Sequence, residues 1–166
     1  MRTLRRPFAY ALLAICILIP ASARGVRVTN GLAFFEGVTE TVGTLHVMMK
    51  RPTGTRSVGR GEIEPDGSLN LVQRVEDEGH APYVRSWLIR QVADGRFAGS
   101  MSEASGPVAI DRIGTRYRFR FKIHGGLSVE QWLTPRADGR SASSDMTVRK
   151  FGIEIASAHA VVRKIP

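Results

Sequence analysis

Cysteine is almost missing from this chain: Cys16 is the one cysteine in 166 residues. It sits in an apolar N-terminal stretch, so the rest of the polypeptide can hold no disulfide framework, thiolate nucleophile or cysteine zinc site. No helical pattern of ten or more residues follows that stretch. There is no G-x-S-x-G elbow, and Gly59-Arg60-Gly61 has neither a third glycine nor a following helix, so it is not a nucleotide loop. His46, His80, His124 and His159 form no H-x-H or helical i, i+4 pair, which leaves no metal set. Glu62 and Glu64 share one strand face, where partners for cations explain them better than an acid pair does. No catalytic constellation is visible, and no cofactor is called for.

The N-terminus has a different character. Arg2, Arg5 and Arg6 make a basic start, residues 7–19 form an uncharged, mostly apolar run, Pro20 breaks it, and Ala21-Ser22-Ala23 gives small residues at peptidase-read positions. This is the pattern of a secretory signal peptide. It predicts residues 1–23 as leader and 24–166 as one exported domain, periplasmic or secreted, with an uncleaved anchor as the alternative. Ile15 before Cys16, where a lipid-attachment signal needs a small residue, argues against a lipoprotein. Lys and Arg number 24 against 15 Asp and Glu, a net charge of +9, and loss of the three leader arginines brings +9 to +6. That balance fits solubility or contact with an anionic envelope lipid. Export removes the usual nucleic-acid partners.

Glycine and Asp-Gly punctuation divides residues 38–164 into ten short segments: 38–51, 57–64, 68–76, 83–92, 96–102, 108–113, 116–124, 127–133, 143–151 and 153–164. Turns at such spacing predict an all-β sandwich or barrel. Consecutive hairpins favour an up-and-down antiparallel barrel of eight to ten strands, whose closure removes exposed edges. Phe34-Phe35-Glu36-Gly37 suggests one helical turn plugging an end. The cleanest segment is residues 116–123, where apolar and cationic residues alternate throughout. Side chains of a strand alternate between faces, so Tyr117, Phe119, Phe121 and Ile123 point inward. Arg116, Arg118, Arg120 and Lys122 form an outward row, a candidate contact for an anionic surface or a solvated face paired by nearby acids. Aromatics on most strands offer a ligand cavity, with Trp87, Tyr117, Phe119, Phe121 and Trp132 as its candidate lining. A filled core is the other reading of the same residues.

The ordered series Phe35-Glu36-Gly37, Trp87, Asp94-Gly95-Arg96-Phe97-Ala98-Gly99, Trp132, Asp138-Gly139, residues 148–153 and residues 161–164 resembles a bacterial family, the domain-of-unknown-function family numbered 3833. The resemblance implies a lipocalin-type (calycin) barrel in an envelope protein and supplies no catalytic residues. Residues 101–109 depart from the family, lacking its Asp, its second Gly-rich turn and its Asn. The favoured expectation is a non-catalytic module holding a small apolar or amphipathic ligand, lipid-like or fatty-acid-like. The alternative is a structural or interaction protein of the envelope with a filled barrel and a basic outer face, and an enzyme stands third.

Overall fold

A computed structural model describes residues 31–166. The leader read at residues 1–23 lies outside the described residues. The chain begins with a short 3-10 turn, Gly31–Phe35, and then runs through ten strands. These are β1 (Gly37–Val47), β2 (Thr53–Ile63), β3 (Leu69–Asp77), β4 (Tyr83–Ala93) and β5 (Arg96–Met101). The second half adds β6 (Val108–Ile113), β7 (Arg116–Ile123), β8 (Leu127–Pro135), β9 (Ser141–Lys150) and β10 (Ile153–Ile165). Each strand pairs antiparallel with its sequence neighbours, and β1 pairs with β10, so the sheet closes as a ten-stranded up-and-down barrel. No edge is left for another chain to extend.

Period-two patterning decides which side is inside. On β3, Leu69, Leu71 and Val75 are buried while Asn70, Val72 and Arg74 are exposed. On β7, Phe119 and Phe121 face inward among the core residues, and Arg120 and Lys122 face outward. The β4–β5 hairpin takes the turn chemistry that its residues favour. Asp94-Gly95 joins β4 to β5, with Gly95 at φ 64, a conformation that costs glycine nothing.

The two ends of the barrel differ. At one end the 3-10 turn lies across the opening, with Leu32 buried and Phe34 and Phe35 packed on the core. That end is closed. Tyr117 points inward here, its ring 6.2 Å from that of Phe97. Lys164 Nζ donates to the Ala33 carbonyl at 3.2 Å and ties the turn to the end of β10. At the other end are the hairpins β1–β2, β3–β4, β5–β6, β7–β8 and β9–β10, which surround an opening.

Candidate functional site

Above the plug the barrel is not filled. A cavity of about 390 Å³ opens toward the hairpin end, inside the roughly 300–1,000 Å³ range of small-molecule sites. Trp87, Phe119, Phe121, Leu71, Val129 and Leu133 supply its apolar wall. Trp87 meets Phe119 and Phe121 edge to face, at 6.4 and 5.9 Å between ring centres, the arrangement that ring quadrupoles favour. Small residues opposite them, Ser144, Ala158 and Ala160, leave the space that larger side chains would occupy.

Both glutamine amides in the wall are paired. Trp87 Nε1 donates to Gln73 Oε1 at 2.8 Å, and Gln131 Nε2 donates to Ser144 Oγ at 2.8 Å. Partners matter because a buried polar group without one costs about 1–3 kcal/mol. The wall is thus largely apolar, with two amide anchors and the hydroxyls of Thr41, Thr55 and Ser57 on β1 and β2.

A charged cluster stands at the mouth. Arg85 points inward from β4, and its Nε donates to Glu103 Oε1 at 2.7 Å while its Nη2 donates to Tyr83 Oη at 2.9 Å. The Ser102 hydroxyl donates to the other Glu103 oxygen. Tyr83 in turn donates to Asp77 at 3.4 Å, and Thr55 donates to the same carboxylate at 2.6 Å. Burial pushes the Tyr83 phenol up from its ordinary value. Burial also acts to raise Glu103, but the hydrogen bonds from Ser102 and Arg85 outweigh it and hold the carboxyl below its ordinary range. Both side chains of the Arg85–Glu103 pair are about one-third exposed, so the pair is open to exchange with a ligand's polar group.

The candidate lining residues divide. Trp87, Phe119 and Phe121 line the cavity. Tyr117 faces inside but beneath it, at the plug. Trp132 is a correction: it lies on the outer wall, because Val129, Gln131 and Leu133 are the inward residues of β8. Its ring is covered by Arg116, whose guanidinium lies 4.3 Å from the ring centre, a contact that makes an outward Trp tolerable. The cationic row of β7 does face outward, in company. Asp111 accepts from Arg120 at 2.8 Å and has Arg118 at 3.6 Å, while Arg116 donates to Thr134 at 3.2 Å. Lys122 has no ion-pair partner among the described residues and shares an outer crevice with Arg120, Ser105, Ser128, Glu130 and Arg149. His46 and His159 are 6.3 Å apart on the outer wall, where His159 binds Asp145 at 2.8 Å. No group of three metal-ligating residues occurs among the described residues.

Sequence patterning alone assigns nothing to Arg85, Gln73, Gln131 or Glu103. The signal for Arg85 is its place two residues before Trp87 on one strand, which puts both on one face.

No family model matches the chain, and no curated protein matches it. Among solved structures, the S-type phycobiliprotein lyase CPES from Guillardia theta superposes with a TM-score of 0.66 at 6% identity, over 84% of this chain and 93% of that one. At such low identity the likeness is one of fold alone. Together with the closed ten-stranded meander and its internal cavity, it gives this chain the lipocalin-type (calycin) barrel fold.

Proposed function

We propose that this chain is an exported, non-catalytic binding protein that holds one small apolar or amphipathic molecule, of the fatty-acid or lipid class, inside its barrel. The observation that carries the reading is the cavity of about 390 Å³ with aromatic walls, plugged at one end and charged at its open mouth. An amphipathic ligand matches that polarity. Its apolar part displaces water from the wall between Trp87 and Ala158, and burial is worth about 25 cal/mol per Å² of apolar surface. Its polar head stays at the mouth, where the Arg85 guanidinium suits a carboxylate bidentately. The two glutamine amides of the wall are occupied by Trp87 and Ser144, and the hydroxyl–carboxylate contacts, Thr55 with Asp77 and Ser102 with Glu103, stand at the mouth rather than in the apolar interior. The signal-peptide pattern supports export, and the resemblance to family 3833 supports a place in the bacterial envelope. The alternative, a structural envelope protein with a filled barrel, draws support from the basic row on β7 and none from the open interior.

Titration with a fluorescent fatty acid tests the reading. Saturable one-to-one binding is expected. Ala158→Phe, which fills the cavity, should weaken binding by about tenfold or more, equivalent to at least about 1.4 kcal/mol. Arg85→Gln should weaken binding of the acid while sparing an uncharged fluorescent alkane. Absence of saturable binding, or indifference to Ala158→Phe in a folded variant, would overturn it.

A further inference from the structure

Two hairpin tips beside the mouth carry residues that such tips rarely use. Met49 is 98% exposed and Phe151 is 92% exposed, with Met48 and Ile153 more than half exposed next to them. Met49 (φ 63) and Phe151 (φ 50) also occupy the left-handed region, which is uncommon for bulky side chains. In the β9–β10 hairpin, Phe151-Gly152 lies between the paired Lys150 and Ile153, and both turn residues have positive φ (50 and 83). Asn-Gly is the favoured pair for that geometry. Phe151 therefore adds strain and exposed apolar surface, and neither helps the fold.

The two tips are neighbours because β1 pairs with β10, and the Met48 amide donates to the Ile155 carbonyl at 2.9 Å. They form one apolar knob at the rim. Lys50, Arg51, Arg149 and Lys150 surround it, and none pairs with a described carboxylate. Among residues 48–52 and 149–154 the acid is Glu154, opposite Arg149 on the ladder, so four cations face one carboxylate. Lys122 extends the belt: Lys122, Ser128 and Arg149 are successive partners across three strands, which spans roughly 10 Å. The other acids nearby are already engaged, Asp77 by Thr55, Glu78 by the Gly54 amide, and Glu130, which lines the crevice of Lys122 and Arg149, by Trp132 Nε1 at 3.3 Å.

We propose that this rim is a membrane-docking surface. Met48, Met49, Phe151 and Ile153 enter the headgroup–acyl boundary of an anionic bilayer, and Lys50, Arg51, Arg149 and Lys150 hold acidic headgroups. Lys150 Nζ lies 5.8 Å from the centre of the Phe151 ring, and apolar side chains framed by cations that no described carboxylate pairs complement a surface that is negative above and apolar beneath. Each Lys or Arg near an anionic leaflet raises association about fivefold. Docking by this rim brings the cavity mouth to the lipid. The surface goes beyond the ligand-binding reading and stands whether or not the cavity is filled.

The test uses the whole chain with Phe151→Trp, which puts an indole at the knob, and vesicles whose acyl chains are partly brominated. With vesicles of equal parts phosphatidylglycerol and phosphatidylcholine at low salt, the new indole should be quenched. Quenching should fall at least about fivefold with pure phosphatidylcholine, or when Lys50, Arg51, Arg149 and Lys150 are all changed to Gln. Being local, the readout reports the tip whatever residues 1–23 do. Met49→Asn with Phe151→Asn, which suits the left-handed positions, should leave the melting temperature unchanged or raise it. Three results would overturn the proposal: no quenching, equal quenching by neutral vesicles, or a solution dimer that those two Asn changes dissociate, which would make the occupant a second copy. The vesicles carry no free ligand, so failure here leaves the fatty-acid titration standing, and failure of that titration leaves this result standing.

Discussion

Gly61 is where the plug meets the wall. A methyl group at this position would come within 2.0 Å of the Phe35 carbonyl oxygen and 3.1 Å of Leu69, and Leu69 is wholly buried. Backbone cannot yield as a flexible side chain can, so the 3-10 turn has to move if the glycine is lost. Gly61→Ala should therefore destabilise the barrel by about 1–3 kcal/mol, as overpacking does. It should also loosen the plug, which binding of an environment-sensitive dye through the closed end would report. A variant with wild-type melting and no added dye binding would mean that the turn does not seal the barrel. Gly59, one inward position earlier, is the control. A methyl group there meets side-chain atoms at 3.1–3.2 Å, which can give way, so Gly59→Ala should be the milder change.

The same capping device recurs in two hairpins. Asp138 accepts from the Arg140 and Ser141 amides at 2.9 Å each and from the Ser141 hydroxyl at 2.6 Å. Asp66 accepts from the Ser68 amide at 2.9 Å and the Ser68 hydroxyl at 2.6 Å. These bonds favour the charged form, so both carboxyls are held below the ordinary 3.8, in each case first by the serine hydroxyl. A lowered folded value stabilises the native state above the unfolded value, and that contribution is lost as pH falls through the folded one. The melting temperature should thus hold level at pH values well above about 4 and fall below it. Asp66→Ala with Asp138→Ala should lower the plateau and flatten the acid limb. An acid limb of unchanged steepness in that variant would assign it to other groups, with Glu103 the first to test. Much of the element order is legible in the residues themselves. Residues 116–123 read as a strand because their alternation is clean, residues 108–113 because turn residues bound them, and they are β7 and β6. The start of β2 is hidden because Pro52-Thr53-Gly54 resembles a turn, whereas Thr53 already pairs with Leu45. Met48-Met49 reads as the end of β1 because hydrophobicity stands in for burial, and there the two part company. Trp132 goes to the wrong face for a related reason. Gln131 takes the inward position, and the tryptophan is sheltered outside by Arg116, a pairing across strands that neither segment shows alone.

For the whole molecule, the placement of the two ends joins the proposals together. The described chain starts at the closed end, at Gly31, while the apolar knob and the mouth lie at the other, roughly 25 Å away for tilted strands of about ten residues. A chain tethered through an N-terminal apolar segment would be attached on the side of its closed end. A chain released from its leader is free to present the rim. Whether the leader is cleaved after Ala23 is a separate question, and intact mass of protein recovered from a periplasmic fraction decides it. The expected mass is that of residues 24–166, beginning at Arg24, with no lipid adduct because Cys16 has left with the leader. A mass that includes residues 1–23 would restore the anchored alternative. A diacylglycerol adduct on Cys16 would make the chain a lipoprotein, held from the same end. Either result would leave the barrel, its cavity and the knob as they are, because all three are built by residues 31–166.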